Sequence, residues 1–434
     1  MLAYYFDLAL RSFRSSRALS LLMVLALGLG IGACMTTLTV FHVLSGDPIP
    51  GKSARLVNVQ LDASGMGGFK PGQEPQFQLT RFDAEALLRD KRARRQALMS
   101  GSNMAVLPES PNLKPFYAST RQTSADFFAM FEVPFKFGAG WDAQADDSAA
   151  RVAVLSRELN DKLFGGENSV GRNVRLREQD FRVIGVLADW RPVPHFYDTT
   201  MGDYAPAEDL YIPFATARAL KYGSSGNMDC WASPGPDGAL SLNAACAWVQ
   251  YWAELDSPGQ AGDYKRYLEQ YSEDQRKAGR FKRPVNVRAR NVVEWLVYQE
   301  ALPGDVKLQV WLAFGFLLVC LTNTVGLLLA KTLRRSGEIG VRRALGATKS
   351  AIFAQFVVEA GALGLAGGVL GLGLAWCGLW LVRQSPADYA PLAQLDAPML
   401  ALSFGLALLA SVLAGLLPAW HAARVTPAQQ LKTQ

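Results

Sequence analysis

The stretch Gly46-Asp-Pro-Ile-Pro-Gly51-Lys52-Ser53 fits the pattern G-x-x-x-x-G-K-S. In a strand–loop–helix setting that pattern cradles nucleotide phosphates on backbone amides at a helix N-terminus. The setting here is wrong. The match follows an apolar block, carries two prolines and precedes the strand-like run Leu56–Leu61. It is read as accidental, and no second ATPase element accompanies it. His42, His195 and His421 are scattered with no H-E-x-x-H spacing, and no G-x-S-x-G elbow occurs. Carboxylates abound, but no acid/base pair stands out. The expectation is a chain that is no enzyme, with no catalytic residue, metal site or bound cofactor. Five cysteines remain. Cys34, Cys320 and Cys377 lie in apolar blocks as small fillers. Cys230 and Cys246 are the only pair between the first two apolar blocks, and an oxidising compartment would let them form a disulfide.

The elements that must position these residues are unevenly apolar. Half the chain is hydrophobic and 19% is charged. Almost no charge falls in Ala18–Leu44, Leu308–Ala330, Ile352–Val382 and Pro398–Ala419. Each reaches the roughly 20 residues a helix needs to cross about 30 Å of hydrocarbon, where the backbone must satisfy its own hydrogen bonds. Ile31-Gly32-Ala33-Cys34 approximates a lipoprotein cleavage box. Apolar sequence continues to Leu44, however, beyond the usual h-region, so a retained transmembrane helix is expected.

The formal charge of +6 could suggest nucleic acid, but its location argues for a membrane. Arg11, Arg14 and Arg17 precede the first block. Lys331, Arg334, Arg335, Arg342, Arg343 and Lys349 fill the connection between blocks two and three, and Arg424 and Lys432 follow the last. Basic residues favour the cytoplasmic side, which puts both termini and that loop inside and the large segment outside. The fold expected is an α-helical membrane protein with four transmembrane helices. A large mixed α/β extracytoplasmic domain is inserted between helices 1 and 2.

The expected divisions run in order. Residues 1–17 form an amphipathic helix on the cytoplasmic face, with Leu2, Phe6, Ala9, Leu10 and Phe13 on one stripe. Residues 18–44, 306–331, 352–382 and 398–419 span the membrane. Residues 45–305 form the external domain, 332–351 a cytoplasmic loop, 383–397 a short external loop and 420–434 a cytoplasmic tail. In the external domain, alternation predicts strands at Leu56–Leu61, Val152–Leu155, Val174–Leu176, Phe181–Leu187 and Val285–Ala289. Helices are expected over Ser156–Phe164, stopped by Gly165-Gly166, and within Asp263–Lys277. Ser224–Asn243, rich in Gly, Ser, Pro and Asn, reads as a surface loop.

The third apolar block carries Gly364, Gly367, Gly368 and Gly371 in small-xxx-small steps, and the first carries Gly28 and Gly32. Such steps let helix backbones approach closely, within one chain or between two. Glu359, an acid near the start of the third block, is expected to face protein or water, structural rather than a proton relay. The loop Lys331–Lys349 reads as a charged helical hairpin bent at Gly337, Gly340 and Gly346. A lipid anchor alone would need scattered cations, not Glu338-Ile339-Gly340 between them.

Glu338-Ile-Gly-Val-Arg-Arg-Ala-Leu-Gly-Ala347, followed by Gln355-Phe-Val-Val-Glu-Ala360, resembles the loop and third helix of MacB/FtsX-type ABC transporter permeases. Leu416-Leu-Pro-Ala-Trp-His-Ala-Ala-Arg-Val-Thr-Pro-Ala428 resembles that family's ending. Asp126–Phe135, Val152–Asn168 and Phe181–Leu187 resemble its external domain. Thr200–Gly279 matches least. The resemblance implies a dimer of permeases, homo- or heteromeric, with a separate cytoplasmic ATPase that binds ATP and Mg. That ATPase would dock on a coupling loop comprising Glu338, Ile339, Gly340, Arg342, Arg343 and Gly346. It implies export of periplasmic cargo with a periplasmic adaptor and an outer-membrane duct, in the bacterial inner membrane, with lipid and no nucleic acid as further partners. A lipoprotein-release permease, an FtsX-like regulator of cell-wall hydrolases and an antimicrobial-peptide sensor are the alternatives.

Overall fold

The computed structural model describes Phe13 and residues 16–424. The expected interfacial helix over residues 1–17 lies, but for Phe13, Ser16 and Arg17, outside the described residues, as does the tail beyond Arg424. The chain divides into two compact units. One is Gly46–Ala301, and the other joins the residues before it to those after it.

Gly46–Ala301 is built on a twelve-stranded sheet. Its strands are β1 Leu56–Leu61, β2 Leu79–Thr80, β3 Arg95–Leu107, β4 Phe116–Thr123, β5 Phe135–Gly138 and β6 Val152–Leu155. They continue with β7 Asn173–Leu176, β8 Gln179–Leu187, β9 Leu210–Pro213, β10 Asp229–Cys230, β11 Cys246–Glu254 and β12 Val287–Asn291. The order is β12-β1-β11-β3-β4-β9-β6-β8-β5, with β2 and β10 on β11 and β7 bridging β3 and β8. The pairs β4–β9 and β6–β8 are parallel and the others antiparallel. β12 begins two residues later than alternation suggests, because pairing sets its limits: Val287 lies opposite Leu61 and Asn291 opposite Val57. The segment Ser224–Asn243 is not wholly loop, since β10 pairs with β11 inside it.

Local chemistry fixes the helices. Ser156 Oγ accepts from Leu159 N at 3.0 Å and opens Arg157–Phe164, which Gly165 closes in the left-handed region. The helices Arg81–Asp90 and Ala261–Lys277 cover β1 and β11 through Leu87, Tyr264 and Leu268. A second core is aromatic, with Phe127, Phe131, Tyr197 and Trp252 edge-on or stacked.

The other unit holds four apolar helices, α1 Arg17–Ser45, α2 Gly304–Arg334, α4 Lys349–Arg383 and α5 Ala397–Ala423, with a short α3 Ser336–Ala344. The four have 29, 31, 35 and 27 residues, enough at about 1.5 Å each to cross a bilayer. Exposed Trp311, Leu318, Val369 and Leu413 give them apolar outer faces, as lipid requires. The glycines of α4 pack inside this chain. Gly364 meets the Ser411 side chain and Gly368 meets Ala407 Cβ on α5. One residue round, an added Cβ on Gly367 would lie 2.8 Å from Leu27 Cβ, and on Gly371 2.9 Å from Ile31 Cγ2, both on α1. Two small-residue stripes thus seat α4 against two different neighbours.

Candidate functional site

The sequence of α3 builds a short amphipathic helix. Glu338 stands in its first turn and Arg342 and Arg343 in its last, matching the helix dipole. Ile339 and Gly340 are buried. Ile339 packs with Ile352 and Phe356 of α4 and Ala419 and Ala422 of α5. The opposite side is apolar and open, with Val341 58% and Leu345 84% exposed. The helix stops at a Schellman turn: Ala347 N donates to Arg342 O at 3.0 Å and Gly346 N to Arg343 O at 3.2 Å. Gly346 takes a φ of 102°, which a side chain would oppose. Thr348 then caps α4 by accepting from Ala351 N.

A chain of charges joins this helix to the apolar bundle. Lys331 Nζ of α2 lies 2.6 Å from Glu359 Oε1 of α4, and Arg335 Nη1 lies 3.8 Å from Glu359 Oε2. Arg335 Nε donates to Glu338 Oε2 at 3.1 Å, and Arg342 Nη2 to Glu338 Oε1 at 2.6 Å. Arg342 Nη1 returns to α4 by donating to Gln355 Oε1 at 3.2 Å. Lys331 also donates to Ser20 Oγ of α1 at 3.4 Å. Glu338, Arg342 and Glu359, singled out separately in the sequence, belong to one network, and Arg343 lies beside them in the last turn of α3. The sequence alone does not reveal that Lys331, Arg335 and Gln355 complete it. The only signal in the sequence is that Lys331 directly follows one apolar block while Glu359 lies near the start of the next. The buried Lys331–Glu359 pair holds α2 and α4 in one register, and Arg335, Glu338 and Arg342 tie α3 to both.

The other singled-out residues lie elsewhere. Cys230 and Cys246 face each other across β10 and β11 and form a disulfide. Lys52 is not poised for a phosphate. Its Nζ donates to Ala129 O at 3.0 Å and Met130 O at 3.2 Å, and lies 3.4 Å from Glu132 and 3.5 Å from Glu254. Ser53 Oγ is turned to Asp47 and to Ile49 O. Carbonyls and carboxylates around that ammonium leave no anion cradle.

A buried polar hub escaped the sequence reading. Arg121 of β4 donates to Asp198 Oδ2 at 2.6 Å and to Glu208 Oε1 at 2.9 Å. Tyr197 Oη donates to Glu208 Oε2 at 2.7 Å, Gln250 Nε2 to Asp198 Oδ1 at 2.9 Å, and His195 Nε2 lies 3.7 Å from Glu208. Burial alone would raise the Glu208 carboxyl, but the Arg121 guanidinium outweighs it and holds Glu208 below the usual range. Burial lowers His195 against the pull of Glu208, favouring its neutral form. The members come from three stretches far apart in the chain, Arg121, His195–Glu208 and Gln250, so no motif announced the hub. Its closed surroundings fit a structural pin between β4, β11 and the segment carrying residues 195–208.

Four apolar helices and a large α/β unit define a multi-pass membrane protein with a periplasmic-type domain. Residues 20–269 match the MacB-like periplasmic core domain, and residues 310–427 match the FtsX-like permease C-terminal region. The chain belongs to the MacB/FtsX-type ABC transporter permease family. It is 25% identical to the pyoverdine export ATP-binding/permease protein PvdT of Pseudomonas aeruginosa over 391 residues, 88% of this chain and 53% of that protein. It is 27% identical to the macrolide export ATP-binding/permease protein MacB of Rhodospirillum rubrum over 430 residues, 98% of this chain and 59% of that one. The chain thus spans little more than half the length of these curated relatives. The solved periplasmic region of MacB from Actinobacillus actinomycetemcomitans aligns at 17% identity with a TM-score of 0.38, covering 59% of this chain and 97% of that one.

Proposed function

We propose that this chain is the permease subunit of an ABC exporter that carries ATPase-driven motion across the bacterial inner membrane to a periplasmic domain. The observation that carries this reading is the charge network from Glu338 and Arg342 on α3 to Glu359 and Lys331 on α4 and α2. The exposed Val341 and Leu345 beside that network offer a docking face to an ATPase that supplies ATP and Mg. On this reading α3 and both termini lie in the cytoplasm, and the α/β unit, inserted between the first two spans, lies in the periplasm. Two copies of the permease, or this one and a related chain, pair in the membrane. The cargo is periplasmic and passes to an adaptor and an outer-membrane duct, in keeping with the export named for the relatives. This chain performs no catalysis of its own.

Affinity purification of the tagged chain in mild detergent, with mass spectrometry of its companions, tests the assignment. A cytoplasmic ABC ATPase and a second permease copy should be recovered. Recovery of a cell-wall hydrolase or a histidine kinase in place of an adaptor would reject the export reading. Cysteine labelling in intact cells should reach position 238 from outside but not position 350.

A further inference from the structure

The helix α2 carries two seams, and the chain fills one of them. Ala313, Leu317, Cys320, Thr324 and Leu328 are buried. Ala313, Leu317 and Leu328 cluster with Met23, Leu27 and Ile31 of α1, and Cys34 Sγ donates to Ala313 O at 3.2 Å. The other seam is Leu312, Phe316, Val319, Asn323, Gly326 and Ala330, all exposed. These residues recur at alternating steps of four and three, the spacing by which one helix faces another along its length. At 3.6 residues per turn this seam lies about 120° round the helix from the first.

Asn323 is out of place on a face turned to lipid. It lies about 10 Å inside the nearer end of the charge-free block Leu308–Ala330. Its amide is exposed and makes no hydrogen bond to any described residue. The neighbouring hydroxyls are satisfied within α2, where Thr322 donates to Leu318 O at 2.9 Å and Thr324 to Cys320 O at 2.8 Å. An amide has two donors and an acceptor to place, and hydrocarbon offers it nothing. Next along the seam, a Cβ added to Gly326 would meet nothing within 4 Å. No contact inside the chain therefore calls for a residue that small.

We propose that this seam is the face by which the chain pairs, its occupant the same seam of a second copy, with the two Asn323 amides hydrogen-bonded to each other. The inference rests on the permease reading above and adds the pairing face to it. A primary amide both donates and accepts, so across a two-fold axis it is its own complement. Copies inserted in one membrane run parallel, which sets like residues in the same layer. Gly326 and Ala330 then let the helices close at one end, while Phe316 and Leu312 fill the wider end. An asparagine at one such position fixes register and partner number, because a slip leaves both amides unpaired in an apolar interface.

The test uses the full chain in membrane vesicles, with Cys34→Ala, Cys320→Ala and Cys377→Ala as background and the Cys230–Cys246 disulfide kept. Under oxidation, Val319→Cys should cross-link two copies. Leu318→Cys, exposed on another face of α2, should not. Adding Asn323→Leu should cut the Val319→Cys product about tenfold, and Asn323→Gln should restore part of it. Asn323→Leu breaks no hydrogen bond to a described residue, so it should insert and fold as wild type. If the alanine background does not fold, recovery of one tagged copy on a differently tagged one, native cysteines present, should show the same loss. Equal cross-linking at 318 and 319, or a Val319→Cys product indifferent to Asn323→Leu, overturns the inference. So does a cross-link to a related permease or to any other protein. ATPase recovery is scored separately. An ATPase retained without a Val319→Cys product removes the pairing face and spares the permease reading, whereas a product without any ATPase does the reverse.

Discussion

Lys331 Nζ lies 2.6 Å from Glu359 Oε1, with the two side chains 4% and 2% exposed. The pair ties α2 to α4 where both meet α3. Removing one partner of a buried pair leaves an uncompensated charge and typically costs about 3–5 kcal/mol, whereas replacing both with apolar groups can be neutral. Glu359→Leu should therefore lower the thermal midpoint of the full chain in detergent sharply. Lys331→Met should lower it less, because Arg335 at 3.8 Å still faces Glu359. The double variant should recover most of the loss. Additive losses in the double variant would show that the two residues are not coupled.

Lys52 completes a sequence pattern for phosphate binding yet is spent on Ala129 O, Met130 O and two carboxylates. Lys52→Ala should weaken the α/β unit by about 1–3 kcal/mol, the usual consequence of stripping partners from buried acceptors. Arg95, 2.9 Å from Glu254, limits the damage. ATP turnover per assembled complex should not change. Lost turnover with assembly and folding intact would restore the nucleotide reading.

The sheet was legible where apolar and polar residue types alternate along the strand, as in Val57-Asn58-Val59-Gln60-Leu61 of β1, although every residue there is buried. Alternation marked β7, whose residues are exposed and buried in turn. It failed at β11, Cys-Ala-Trp-Val-Gln-Tyr-Trp-Ala-Glu, because that central strand has no polar face to punctuate it. It failed also at β4, where Thr120, Arg121, Gln122 and Thr123 are all buried and polar. Their partners, such as Asp198 and Gly223, lie far along the chain. The apolar helices were legible because a bilayer demands length and composition together. The glycines of α4 announced close approach but not its object, since the crossing of α1, α4 and α5 is a tertiary fact. For the same reason Glu359 could be flagged as costly while its partner Lys331 could not.

His195 gives the α/β unit a pH signature. Burial holds its folded pKa below the ordinary value, so the unfolded chain binds the proton first as pH falls. Its contribution to stability is complete above about 6.5 and diminishes as pH falls from there towards the lower folded value. His195→Phe would keep the edge-on ring contact with Tyr197, at 4.2 Å in the wild type, and remove the titration. The thermal midpoint of the wild type should fall more steeply between pH 6.5 and 5 than that of the variant. Parallel pH profiles would place the acid sensitivity elsewhere.

Coupling between α3 and the apolar bundle is where the functional proposal stands or falls. Glu338 receives Arg335 at 3.1 Å and Arg342 at 2.6 Å, and all three side chains retain solvent contact, so their pairing contributes about 1 kcal/mol or less to stability. Glu338→Ala should therefore insert and fold normally, and it removes no positive charge, so the topology is untouched. It does free both arginines from the position that links Gln355 and Glu359. If α3 transmits motion, this variant should weaken ATPase co-purification or let ATP hydrolysis run without transport. Arg342→Lys/Arg343→Lys keeps the charge but loses the planar fork with which Arg342 spans Glu338 and Gln355. An anchor to lipid would tolerate that exchange, whereas a geometric coupling would not. The measurement is transport per ATP hydrolysed in reconstituted vesicles, alongside ATPase recovery on the tagged permease. Full recovery and an unchanged ratio in both variants would reduce α3 to a positively charged anchor and end the coupling proposal.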